Sequence, residues 1–455
     1  MKKISRRDFL KVAGVSAAAL GLSACGAASS SAAVSSAAAS SMAASSAAAS
    51  PAADITLWTY PIGKFGDETT VNGILEKFNA SYPDVKVTVQ YLSYKDGDTQ
   101  ISSAIEAGTA PDMVMEGPER LVSNWGAKGK MVDLSDLWTS DVTSDIKATS
   151  DNVVTACQLD GKYYEYPLCM TTHCMAINQE VFEKADALQY IKDDGTWTTE
   201  DFQKALEAVA KSGQVQETGV VYCGGQGGDQ GTRALVTNLY DGEFTDAAHT
   251  KYTIDSDAGK KALEKLVELT KAGSLGYDTA IVASDELTLF ANGTTAMTFC
   301  WNASNQANYA DQVTFTPKAV AFPSESGTPE LCGGIWGFGI FDNGDDAKVT
   351  AAKALIQFLC DDAEQGPDSV RATGFFPVRS SFGDVYTGTE DEARMNNFKG
   401  FMQYLGDYYN VTPGWAEQRT AWFTMLQQVF GGTDIATALA TYDSACEAAI
   451  AAAKA

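Results

Sequence analysis

Between residues 54 and 115 the spacing of apolar residues switches period repeatedly, and that switching restricts the chain to a layered α/β architecture. Asp54-Ile55-Thr56-Leu57-Trp58 reads as a strand, whereas Val71, Ile74, Leu75, Phe78 and Tyr82 share one helical face. Val85, Val87, Val89 and Tyr91 then alternate as in a second strand, which gives a β-α-β start. Another helical stretch closes near Ala104 and Ile105, Gly108-Thr109-Ala110-Pro111 breaks it, and Asp112-Met113-Val114-Met115 makes the next strand. Sheets of this kind place ligands beyond the carboxyl ends of their strands. Tyr60, Pro61 and the segment from Glu116 to Arg120 are therefore the first positions to inspect. Farther on, Thr198-Thr199-Glu200-Asp201 has the form of a helix start, with Phe202, Leu206 and Val209 behind it on one face. A long helix is expected at 258–272, and Ile435, Leu439, Tyr442 and Cys446 share a face near the end.

The body from Asp54 to Ala455 holds 402 residues, more than one core normally serves, so two lobes are expected. Its surface is strongly acidic. The net charge of −25 becomes −29 once the five basic and one acidic residues of the leader are removed. Such a field repels nucleic acid and anionic lipid, and it disfavours an anionic ligand unless a local basic pocket overrides it.

Ahead of the body lies a positive leader with Lys2, Lys3, Arg6, Arg7 and Lys11, followed by an apolar stretch from Val12 to Leu22. That stretch is shorter than the ~20 residues a membrane span requires. Leu22-Ser23-Ala24-Cys25 resembles the cleavage site of a bacterial lipoprotein signal, which would make residues 1–24 a removed leader and Cys25 the lipid-bearing N-terminus. Ser5-Arg6-Arg7-Asp8-Phe9-Leu10-Lys11 is similar to the twin-arginine export motif. An ordinary secretory leader can also carry two arginines, so both export routes stay open. From Gly26 to Ala53 the chain is nearly all Ser and Ala, a flexible coil of 28 residues spanning roughly 30 Å. Residues 25–53 thus read as a lipid-anchored tether to the outer face of the cell membrane.

Of nine cysteines, eight remain after Cys25, none in a C-x-x-C pair and most inside apolar runs, so buried thiols are expected. Only His173 and His249 supply imidazoles, which leaves no multi-histidine metal site; neither a metal nor a cofactor is expected. No nucleophile elbow, phosphate-binding loop or complete dinucleotide fingerprint is present.

Five elements then occur in a telling order. They are Gly108-Thr109-Ala110-Pro111-Asp112, Gly161-Lys162-Tyr163 with Tyr166-Pro167 and Ile177-Asn178, Phe290-Ala291-Asn292-Gly293 with Ala296-Met297, Gly333-Gly334, and Pro377-Val378-Arg379. Together they resemble the extracellular solute-binding proteins of ABC importers, specifically the carbohydrate-binding, maltose-binding-protein-like group. The resemblance implies a type II periplasmic-binding-protein-like fold of class α/β. Each lobe would carry a mainly parallel sheet flanked by helices, with the ligand in the interlobe cleft. Residues 54–168 plus 313–376 would form lobe one, and 169–312 plus 377–455 lobe two. The implied partners are a sugar and the permease subunits of an ABC transporter, with the protein acting as a monomer.

A pyranose presents C–H faces that stack on aromatic rings and hydroxyls that need carboxylate, amide or guanidinium partners. Trp58 and Tyr60 follow the first strand, although Trp58 equally suits the core. Glu116 and Glu119 lie in the loop after the third strand, where the similar family positions contact ligand. Trp301 resembles the family's tryptophan on lobe two, and Asn302 beside it has an amide to offer. Trp336, among glycines, and Trp415, at a helix start, suit either the cleft or packing between elements. Gln226 and Asp229 sit with Arg233 in or beside a glycine-rich segment that is either a ligand loop or a plain mobile one. Thr171 and His173 fall near the expected hinge.

Three functions compete. Capture of a sugar or oligosaccharide for a permease comes first. The same machine with a polyamine or other cation comes second, favoured by the acidic balance. A secreted glycan-acting enzyme using Glu116 and Glu119 comes last, because two carboxylates in one short loop do not flank a glycosidic bond.

Overall fold

The computed structural model describes residues 52–93, 96–225 and 230–453. Cys25 with its leader and tether, and Gln226 and Asp229, lie outside the described residues. The β-α-β start is present: β1 (Ala53–Thr59), a helix at Glu68–Ser81, and β2 (Val85–Tyr91) are followed by a helix at Gly97–Glu106 and β3 (Met113–Glu116). Asp67 caps the first of these helices, accepting from the Thr70 amide at 2.9 Å, and Val71, Ile74, Leu75 and Phe78 form its buried face. The later helix start also holds, since Thr198 accepts from the Asp201 amide at 3.0 Å and opens a helix at Thr199–Ser212.

Two sheets carry the architecture. After β3 the chain forms β4 (Tyr166–Thr172) and β5 (Cys174–Asn178), then β6 (Val220–Tyr222), β7 (Gly276–Asp278), β8 (Met297–Trp301) and β9 (Pro317–Val320). It finishes its strands with β10 (Gly333–Ile340) and β11 (Phe376–Pro377). The six-stranded sheet runs β11-β4-β10-β3-β1-β2, and the three-stranded sheet runs β8-β5-β9, while β6 and β7 form a separate parallel pair. The chain therefore passes between the two sheets at His173 and again between Val320 and Gly333.

The expectation of mainly parallel sheets holds only in part. β1 is parallel to both β2 and β3, but β10 is antiparallel to β3 and β4, and β11 is antiparallel to β4. The three-stranded sheet is antiparallel throughout. Connectivity is the reason. β10 arrives from the other sheet and enters at the end where β3 finishes, with Gly337 opposite Glu116, so it must run the opposite way.

The helix at Asp346–Cys360 packs Ala351, Ala352, Leu355, Ile356 and Leu359 into the core of the larger sheet, and helices at Trp415–Phe430 and Ile435–Ala453 pack against each other. The expected long helix spans Asp257–Lys271. All eight cysteines among the described residues are buried, and none of them forms a disulfide. No helix among the described residues is long and apolar enough to cross a membrane.

Candidate functional site

Glu116 ends β3, and the chain turns at once into a single helical turn, Pro118–Arg120, with proline in the first position where its missing N–H costs nothing. Gly117 makes the turn fit: a Cβ there would come within 2.6 Å of Glu119 Oε2 and 2.8 Å of the Ile335 carbonyl oxygen. The turn points Arg120 into a nest of acids, of which Glu116 is buried and Asp98 half-exposed. Its Nε and Nη2 donate to the two oxygens of Asp98 at 2.6 and 2.8 Å, and its Nη1 donates to Glu116 Oε1. Tyr60, buried just past β1, donates to Asp98 Oδ1 at 2.7 Å.

The other wall comes from nearly three hundred residues later. The buried Tyr408 hydroxyl donates to Glu119 Oε2 at 2.7 Å. Trp415, only 7% exposed, opens its helix after Gly414, whose φ of +76° only glycine adopts readily. The guanidinium groups of Arg120 and of Arg419, one turn along the helix, lie 4.9 and 4.4 Å from the Trp415 ring.

The electrostatics are those of a crowded, dry cluster. Burial acts to raise Asp98, but the bonds and charge of Arg120 outweigh it and hold that carboxyl below its usual range. Glu116 is pushed up to about 8 by burial, with Arg120 opposing and Glu119 reinforcing. Glu165, immediately before β4, is pushed well above the carboxylate range by burial and by the charges of Glu119 and Glu116. Both Glu165 oxygens, Glu116 Oε2 and the Trp415 indole N–H are buried with no hydrogen-bond partner among the described residues. Such orphaned groups are costly, roughly 1–3 kcal/mol each, unless something else meets them.

Of the residues expected from sequence, the structure brings together Tyr60, Glu116, Glu119 and Trp415. Five others make none of these contacts. Trp301 is fully buried within the second sheet's layer, where the helix at Ala283–Ala291 packs on β8 and sets Phe290 edge-on to the indole at 5.4 Å. Asn302 caps the helix at Ala303–Asn308 by accepting from the Asn305 amide at 2.8 Å. Thr171 is buried in β4 and donates to the Thr172 carbonyl at 3.3 Å. Trp336 is half-buried and stacked on Phe375, ring centres 4.6 Å apart, with His173 edge-on to it. Trp58 is half-buried near the carboxyl end of β1, paired with Gln90 and Val114.

Sequence reasoning missed Asp98, Glu165, Tyr408 and Arg419, and it flagged Arg120 only as the end of a loop. Arg419 had a signal, its four-residue spacing from Trp415 on one helix face. Asp98 and Tyr408 had none, since their partners lie far off in sequence. Among the described residues no group of His, Cys, Asp or Glu could hold a metal ion.

Comparison with known proteins follows the same lines. A family model described as bacterial extracellular solute-binding protein matches residues 73–397, and one for the twin-arginine translocation signal matches residues 3–23. The fold is shared with the GacH receptor of Streptomyces glaucescens, solved unliganded and with acarbose, at 17% identity and TM-score 0.69, covering 87% of this chain and 98% of that one. It is also shared with the cyclic alpha-maltosyl-1,6-maltose binding protein of Arthrobacter globiformis, at 19% identity and TM-score 0.67, covering 88% of this chain and 99% of that one. The maltotriose-bound MalE domain from Bdellovibrio bacteriovorus matches at 16% identity and TM-score 0.67, over 88% of this chain and 99% of that one. These likenesses establish the type II, two-lobe α/β fold.

Proposed function

Because the chain belongs to the bacterial extracellular solute-binding protein family, we propose that it captures a sugar or oligosaccharide between its two lobes and delivers it to an ABC permease. The observation that carries this reading is the buried constellation of Trp415, Arg120, Glu116, Glu119 and Tyr408, drawn from segments far apart in the chain. An indole for a sugar face and carboxyl and guanidinium groups for hydroxyls are what a pyranose needs. Tyr408 and Trp415 meet the Glu116–Arg120 loop when the lobes are together, so a solute that touches both walls favours the closed state and draws its affinity from that preference. The GacH receptor has been solved with acarbose and the MalE domain of Bdellovibrio bacteriovorus with maltotriose, which agrees with this class of solute.

Export follows from the matched leader, and on this reading Cys25 takes the lipid and residues 26–53 hold a monomeric body off the membrane. Replacing Cys25 with Ala should release the protein from the membrane fraction. Retention of the variant on the membrane would remove the lipid anchor from the account. The solute is tested by a thermal-shift screen against sugars, polyamines and amino acids. Ligand at a hundredfold its Kd should add about 2.7 kcal/mol of stability. Stabilisation by spermidine and by no sugar would defeat the sugar reading.

A further inference from the structure

Four carboxyl groups, Asp98, Glu116, Glu119 and Glu165, surround two guanidinium groups, those of Arg120 and Arg419, in the interlobe cluster. Two of the acids are satisfied: Asp98 by Arg120 and Tyr60, and Glu119 by Tyr408. The other two are not. Glu116 is 1% exposed with Oε2 unpartnered, and Glu165 is fully buried with both oxygens unpartnered among the described residues. Strand register puts these two acids near each other. Glu116 aligns with Gly337, Gly337 aligns with Pro167, and Glu165 precedes Pro167 by two residues. The cluster therefore offers three buried carboxyl oxygens with no partner among the described residues, and it holds two acids more than its two guanidinium groups can neutralise, so burial keeps Glu116 and Glu165 toward their protonated form.

We infer that the sugar this cleft receives carries a primary amine: an amino sugar, or an oligomer containing one, whose ammonium sits between Glu116 and Glu165. The inference rests on the sugar-capture reading and narrows it. An ammonium has three N–H donors and no acceptor, and its charge favours the ionised form of both glutamates, so it releases the protons that burial keeps on them and meets all three oxygens. A neutral hydroxyl gives one donor and no charge, so it leaves two of the three acceptors unmet. The Trp415 ring remains available for the C–H face of the same or a neighbouring sugar unit, and that ring tells an amino sugar from a linear polyamine.

Isothermal titration of the mature protein tests this with glucosamine and its β-1,4 dimer and trimer, the glucose oligomers of the same lengths, and the N-acetylated forms. The amines should bind about tenfold or more tightly than both neutral series. In Glu165→Gln and, separately, Glu116→Gln, the ratio of amine to neutral affinity within each variant should fall toward one. Two positions are used so that a folding defect at one leaves the other to report. Neutral oligomers binding as well as or better than the amines would overturn the inference and leave sugar capture standing. Spermidine binding with no sugar of any series bound would overturn both.

Discussion

Two buried glutamates, one on each of the two main sheets' sides of the molecule, show how the same residue in the same dryness takes opposite roles. Glu286 lies in the helix at Ala283–Ala291 and is fully buried, yet both oxygens are met: Oε2 accepts from the Thr298 hydroxyl at 2.6 Å and Oε1 from the Phe299 amide at 2.9 Å. Glu116 is as deeply buried, but one oxygen is met by Arg120 and the other by nothing among the described residues. Burial pushes each up to about 8. The first acid fastens a helix to a strand; the second is unfinished, and a ligand would complete it. The tryptophans divide by what covers the ring and not by hydrogen bonding, since neither the Trp301 nor the Trp415 indole N–H has a partner among the described residues. Trp301 is enclosed by Phe290 and Tyr309, whereas Trp415 carries only guanidinium groups on its ring among the aromatic and cationic contacts described.

The sharpest break in this contrast would come from Trp301. Trp301→Ala should lower unfolding stability by roughly 3–5 kcal/mol in denaturant titration, as a large core truncation does, while the folded fraction keeps its ligand affinity. Trp415→Ala should do the reverse. Its ligand affinity should fall by about 2–4 kcal/mol in calorimetry, the range of an aromatic anchor, with a smaller change in stability. If the two variants exchanged these behaviours, the division between core and cleft would be drawn in the wrong place.

Acidity sharpens the comparison next. Glu286 in the folded protein keeps its proton to about pH 8, whereas unfolded it releases the proton near 4.3. The folded state thus binds more protons between those values, and the stability tied to this residue is full below about pH 4.3 and declines as pH rises toward 8. Glu286→Gln should remove that decline, roughly 3–4 kcal/mol, seen by comparing urea unfolding at pH 5 and pH 8. An unchanged slope would mean that Glu286 is ionised in the fold. The smallest effect belongs to Tyr408→Phe, which takes a donor from Glu119 and should shift the empty protein toward the open form by about 1 kcal/mol. Small-angle scattering should then give a larger radius of gyration than for the parent chain.

Much of this was legible in the sequence where the signal was local. The strands at 53–59, 85–91 and 113–116 and the capped helix after Thr198 follow from periodicity and one side-chain bond each. The Glu116–Arg120 loop was legible as a position to inspect, because ligands in such sheets sit beyond the carboxyl ends of strands, and the structure gathers it with Tyr408 and Trp415. Strand direction in the second sheet was not, since it depends on how the chain crosses between sheets. Trp301 misled for a related reason: its place beside a family-like motif says nothing of which side of β8 the indole takes, and Phe290 decides that. The tie between Tyr408 and Glu119 spans 289 positions and leaves no local trace.

The most direct test of the whole account is a crystal structure of the protein with the solute that stabilises it most in the thermal-shift screen. The account predicts a sugar ring in contact with the Trp415 indole and held by Glu116, Glu119 and Arg120. Density for that solute elsewhere, with Trp415 and the Glu116–Arg120 loop untouched, would contradict it.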